Sequence, residues 1–121
     1  MEIEFYRDET GTVPVKEFLD SLDMRMRQKM MRSIQALQEM GTSLRMPLSE
    51  ALEDGIFELR AQVGGNISRV LYFFYVGNKA VLTHGFIKKT QKTPRREIAK
   101  AQEIRKKYWK QHKGGESNGW F

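Results

Sequence analysis

The sequence has no cysteine, which excludes disulfides and thiolate metal sites. Its two histidines, His84 and His112, are isolated and make no ligand cluster, so neither a metal nor a cofactor is expected. There are only three prolines, at 14, 47 and 94. No repeat and no internal linker interrupts the chain. No apolar run approaches the roughly 20 residues that a membrane helix needs. Met1-Glu2-Ile3-Glu4-Phe5 has neither a basic start nor an apolar core, so no signal peptide is expected. A cytoplasmic protein is the simplest expectation.

Acidic residues are scarce in the second half. Residues 61–121 hold 3 Asp/Glu against 13 Lys/Arg, a net of +10, whereas residues 1–60 hold 12 against 8, a net of −4. That asymmetry fits a polyanionic partner for the second half. It fits equally a solvated basic helix with no ligand. The 121 residues, 40% hydrophobic and 30% charged, suit one globular domain.

Residues 2–8 alternate as a first strand, broken by Gly11. Pro14 suits the first turn of a helix that runs to about Leu22, with Val15, Phe18, Leu19 and Leu22 on one face. A longer helix is predicted from about Asp23 to Met40. Its stripe is Met26, Met30, Ile34 and Leu37, and Gly41 ends it. These methionines read as adaptable core filler. Residues 41–55 are a connection with Pro47 and Gly55 as breakers. Three strands follow, Ile56–Val63, Asn66–Val76 and Lys79–Ile87, joined at Gly64-Gly65 and Gly77-Asn78. Thr93-Pro94 reads as a cap and first position of a last helix reaching about His112. Its inward stripe is Ile98, Ala101, Ile104 or Arg105, and Tyr108. Residues 1–113 form the expected domain and residues 114–121 a flexible tail. The fold class is α+β: strand, two helices, three-stranded antiparallel meander, helix.

Two-residue turns at both hairpins place Arg60 opposite Arg69, Arg69 opposite Phe86 and Leu71 opposite His84. Arg60, Arg69 and His84 then share one face, and Lys88 keeps their parity. Phe57, Leu59, Val70, Tyr72, Phe74 and Val81 take the other face, against helices. The first face turns apolar further along, at Ile56, Leu71, Phe73 and Leu82, where a helix or the first strand should cover it. Like charges opposite each other on a sheet repel. Either Glu58 on the same face neutralises the pair, or the arginines hold an anion in a groove. The basic stretch Lys88–Arg96 adds weight to the anion.

Gly55-Ile56-Phe57-Glu58-Leu59-Arg60, Ser68-Arg69-Val70-Leu71-Tyr72 and the stretch His84-Gly85-Phe86-Ile87-Lys88-Lys89-Thr90-Gln91-Lys92-Thr93-Pro94 resemble phage-derived Gp49-like proteins. That group includes HigB-type toxins of the RelE/ParE superfamily. The resemblance covers about residues 50–110, and the upstream strand and helix pair agree in order. It implies a RelE-like fold and the toxin of a bacterial type II toxin–antitoxin system, a ribosome-dependent mRNA endonuclease. The implied partners are a helix-turn-helix (HigA-like) antitoxin, mRNA and the 70S ribosome. The same fold also carries gyrase poisons of the ParE type, and a non-catalytic RNA-binding module is a further alternative.

The resemblance implies catalytic roles for Arg69 and for Lys88 and Lys89, with Arg60 at the end of the preceding strand. The tyrosine that RelE has after this basic site is absent from Thr93-Pro94-Arg95-Arg96. HigB-type members often recruit histidine, so the resemblance implies His84 as a candidate base beside Lys88 and Lys89, and a structural histidine is the alternative. Metal-free RNA cleavage needs a base for the 2′-hydroxyl, cations on the phosphate and an acid for the leaving oxygen. Arg60 and Arg69 suit the phosphate. Lys88 and Lys89 also fit a role as backbone-binding cations without proton chemistry. Lys92, Arg95, Arg96 and Lys100 are candidate nucleic-acid contacts.

Overall fold

The computed structural model describes residues 1–118, and side chains through His112. One mixed sheet of five strands runs through the molecule in the order β1-β5-β4-β3-β2. The elements are β1 (Glu2–Phe5), α1 (Pro14–Ser21), α2 (Met24–Met40), a 3₁₀ turn at Gly41–Ser43, β2 (Ser49–Ala51), β3 (Phe57–Val63), β4 (Asn66–Tyr75), β5 (Lys79–Lys88) and α3 (Arg95–Asn118). β1 lies parallel to β5 and every other pairing is antiparallel. The α+β class and the element order follow the expectation. The parallel edge strand and the short β2 are additions. No helix among the described residues is long and apolar enough to cross a membrane.

The helix ends follow local chemistry. Pro14 opens α1. Asp23 caps α2 by accepting the Met26 N–H at 2.9 Å, and Gly41 ends it with φ 55°. The Thr93 hydroxyl is turned to the sheet, donating to Glu58 and accepting from Arg69, and α3 begins at Arg95, with the Pro94 carbonyl accepting from Glu97 and Ile98 N–H. α3 also runs six residues past His112, through Gly114-Gly115 to Asn118. Each glycine costs a helix about 1 kcal/mol without forbidding it. Residues 119–121 of the expected tail lie outside the described residues.

Helices cover both faces of the sheet. On one face, Val15, Leu19, Met26, Met30 and Leu37 pack on Leu59, Val70, Tyr72 and Leu82. On the other, Ala101, Ile104 and Tyr108 of α3 cover Ile56, Leu71, Phe73 and Val81. Met30 and Leu37 are fully buried, each worth about 1.5–3 kcal/mol in apolar surface removed from water. Val81 and Leu82 occupy faces opposite to those expected. The β4–β5 turn holds three residues, Val76, Gly77 and Asn78, so Tyr75 rather than Val76 pairs with Lys79 or its neighbours. An irregularity between Leu71 and Tyr72, with Thr83 as the unpaired residue of β5, then restores Leu71 opposite His84 and Arg69 opposite Phe86. The two departures cancel before the arginines are reached.

Gly85 is a packing requirement. A Cβ there would lie 2.2 Å from Cδ2 of Phe18, whose ring rests on β5. That contact joins α1 to the strand that carries His84 and Lys88.

Candidate functional site

Arg60 and Arg69 are direct cross-strand partners, and Glu58 stands two residues before Arg60 on the same face. Its carboxylate lies between the guanidiniums: Oε2 is 3.3 Å from Arg60 Nε, and Oε1 is 3.9 Å from Arg69 Nε. The Thr93 hydroxyl donates to Oε1. Arg69 has no exposed surface. It donates to the Thr90 carbonyl and, at 3.5 Å, to the Thr93 hydroxyl oxygen, while its Nε has no hydrogen-bond partner. Of the two explanations for the paired arginines, the structure holds the internal ion pair. Arg69 has no open path to a ligand here.

Burial governs the charge states. It pushes the Glu58 carboxyl above its ordinary range, while the Thr93 hydroxyl and the two guanidiniums pull it back only in part. Burial likewise lowers the Arg69 pKa, opposed by Glu58; a guanidinium nonetheless stays cationic. A buried cation without its carboxylate is costly, about 3–5 kcal/mol when one partner is removed. Glu58, Arg69 and Thr93 thus act as a structural clamp.

What the clamp holds is the loop after β5. Arg69 grips Thr90 and Thr93, and Arg60 donates to Gln91 Oε1 at 2.8 Å. With its middle fastened to β3 and β4, the loop leaves its lysines outside. Lys88 is half-buried, and Lys89 and Lys92 are exposed. None of the three forms a salt bridge among the described residues. Arg60 is the arginine that borders them. Its side chain keeps 10% of its surface exposed and also reaches Glu50 Oε1 at 3.3 Å.

His84 lies beneath α3, 3% exposed. Its Nε2 is 3.0 Å from Glu97 Oε1 and its Nδ1 3.0 Å from the Thr83 hydroxyl. Burial lowers its pKa more than Glu97 raises it, and Lys100 lowers it further. Nε2–H donates to Glu97; the single Thr83 proton goes either to the Leu71 carbonyl at 3.2 Å or to Nδ1, so a neutral ring keeps both of its bonds when that proton turns to Nδ1. The geometry is that of a histidine fastening α3 to the sheet.

The four candidate contacts outside the clamp differ. Lys92, Arg96 and Lys100 are exposed. Arg96 has only a loose approach to Glu97, at 3.9 Å. Arg95 is engaged in a two-pronged pair with Glu53, at 2.9 and 3.0 Å. Arg60, Lys88, Lys89 and Lys92 therefore gather at one end of the sheet, while Arg69 and His84 stand behind them as supports.

Sequence reasoning did not find the groove beside Arg60. It has a volume of about 580 Å³ and runs between α2 and the Met46–Leu48 segment, with Lys29 and Arg32 among its lining. One signal was available: Lys29, Arg32 and Ser33 flank the apolar stripe of α2 as a polar border. Glu58, Thr90, Gln91 and Thr93 were present within the recognised blocks, but their clamp needs the loop folded back on β4. Among the described residues, no group of three His, Asp or Glu side chains is placed to hold a metal ion.

A family model described as phage derived protein Gp49-like matches residues 17–106, a span from α1 into α3 that contains the whole cluster. No curated protein matches the chain.

Proposed function

The chain belongs to the phage-derived Gp49-like family, a family associated with toxins of toxin–antitoxin systems, and from that premise we propose that it is a toxin that cleaves mRNA on the ribosome. The observation that carries this reading is the set of Lys88, Lys89 and Lys92, without a salt bridge among the described residues, on a loop fastened to Arg60 and Arg69 by a buried clamp. Rigid support for a loop of free lysines has a cost in desolvation. A phosphate backbone is the ligand that such a loop suits.

In the proposed reaction the ribose 2′-hydroxyl loses its proton and its oxygen attacks the adjacent phosphorus. The bond to the 5′-oxygen breaks, and that oxygen takes up a proton. Arg60 binds the phosphate and stabilises the extra charge that builds on its oxygens. Lys88 and Lys89 flank it: the minor neutral amine form of one takes the 2′-hydroxyl proton, and the ammonium of the other gives a proton to the departing 5′-oxygen. Arg69 and His84 act as positioning residues: the first holds the loop, the second seats α3. Lys92, Arg96 and Lys100 extend the track for the RNA backbone, and Arg95 contributes through Glu53 to the shape of its border.

Ribosome dependence follows from the same inventory. Glu58 is committed to the two arginines and His84 to Glu97. The groups left in reach of substrate are cations, which stabilise charge well and accept protons poorly. A ribosome that strains the mRNA toward in-line attack supplies what the cluster lacks. An acidic segment of a helix-turn-helix antitoxin would silence the toxin by covering the same cations.

The test is induced expression followed by mapping of cellular mRNA 5′ ends. New ends in coding regions, absent from Arg60→Ala, support the reading. Intact mRNA with blocked DNA supercoiling would replace it with a gyrase poison.

A further inference from the structure

The groove beside Arg60 is chemically unlike the lysine loop. Its lining combines apolar side chains, the exposed Met46, Pro47 and Leu48 and the buried Ala61 and Ile67, with the cations Lys29, Arg32 and Arg60. Met46 is 57% exposed and Leu48 36%, unusual for side chains with no polar part. The volume of about 580 Å³ falls within the range of roughly 300–1,000 Å³ that small-molecule sites occupy. Arg60 and Gln91 belong to both the groove and the cation cluster. The groove thus opens beside the cation cluster through Arg60 and Gln91.

We infer that the groove is a base-binding subsite, which takes an unstacked nucleobase of the RNA strand whose phosphate lies at Arg60. This rests on the nuclease reading above and adds where the substrate is gripped. A lining that mixes apolar side chains with cations suits a flat ring attached to a phosphate. Two amides stand at the edge with capacity to spare. Gln91 uses its oxygen on Arg60, which leaves its NH₂ to donate. Gln62 gives its NH₂ to the Gly64 carbonyl, which leaves its oxygen to accept.

An acidic peptide would meet the same charges, but the backbone at this edge does not welcome a strand. β2 pairs with β3 only as far as Leu59 in register, and the Leu48 carbonyl takes the Arg60 N–H. Beyond it, Ser33 donates to the Arg60 carbonyl and Lys29 to the Gln62 carbonyl. The acceptors that an added strand would use are already occupied. A nucleobase needs none of them.

The experiment uses the full chain and a short single-stranded RNA bearing one thiouridine, irradiated and mapped by mass spectrometry. The same RNA is then titrated against an abasic oligonucleotide and a polyglutamate of equal charge. Crosslinks should fall at Met46–Leu48, and RNA should bind about tenfold or more tightly than the abasic strand. Met46→Ser should narrow that preference, and Arg32→Ala should weaken both strands alike. Crosslinks confined to Lys88–Lys92, with cleavage intact, would overturn the subsite and leave the nuclease standing. Equal binding of RNA, abasic strand and polyglutamate would overturn the subsite in favour of charge alone. Loss of RNA binding together with absence of cleavage on programmed ribosomes would remove both readings.

Discussion

Arg60 and Arg69 face each other across β3 and β4 yet meet solvent unequally: the Arg60 side chain keeps 10% of its surface exposed, and Arg69 keeps none. One carboxylate, Glu58, lies between them. The pair therefore divides its work, with Arg69 bearing structure and Arg60 bordering the free lysines.

That division predicts opposite phenotypes. Arg69→Ala leaves Glu58 buried without its inner partner and should cost about 3–5 kcal/mol in denaturant unfolding. Arg60→Ala leaves Glu58 paired with Arg69 and Thr93, and should cost only about 1–2 kcal/mol while abolishing RNA cleavage. Equal stability losses would contradict the division.

His84 yields a pH signature. Its folded pKa lies below the unfolded value, so the unfolded chain binds more protons at mildly acidic pH. Its contribution is present above about pH 6.5 and is lost as pH falls through the lower, folded pKa. Unfolding free energy should decline on acidification through that window, and His84→Gln should flatten that part of the curve. The same variant should cleave within a few-fold of the parent at neutral pH. A loss of roughly 10²-fold without unfolding would instead make His84 the base.

Gly85→Ala should destabilise the chain by about 1–3 kcal/mol, because the new methyl meets the Phe18 ring at 2.2 Å. Combining it with Phe18→Leu should recover part of that loss in a double-mutant cycle. An additive pair would mean that the ring is not the obstacle.

Val76 occupies a left-handed conformation, φ 54°, in the β4–β5 turn and is 67% exposed. A branched side chain is poorly suited to that conformation. Val76→Gly should raise thermal stability, by about 1 kcal/mol, with cleavage unchanged. A lower melting temperature would show that the side chain packs in a way that outweighs the strain.

Most of the architecture was legible because its signals are local. Proline starts, a glycine stop and alternating strands mark α1, α2 and the meander. Three features were not. β2 has only three residues and no alternation to read. Val81 and Leu82 changed faces because a three-residue turn and the irregularity at Thr83 shift the register twice, in opposite directions. The placement of Arg60, Arg69 and His84 on one face survived because the shifts cancel before reaching them. Their burial was not legible. It depends on a loop folding back onto β4 and a helix lying over His84, contacts between segments far apart in sequence.

The most direct measurement is cleavage of a defined mRNA by the purified chain, with and without programmed ribosomes, for the parent, Arg60→Ala and the Lys88→Ala/Lys89→Ala pair. The parent should cut only the ribosome-bound message, and both variants should be folded and inactive. Full cleavage by folded Arg60→Ala, or no cleavage by the parent on any ribosome complex, would contradict the account.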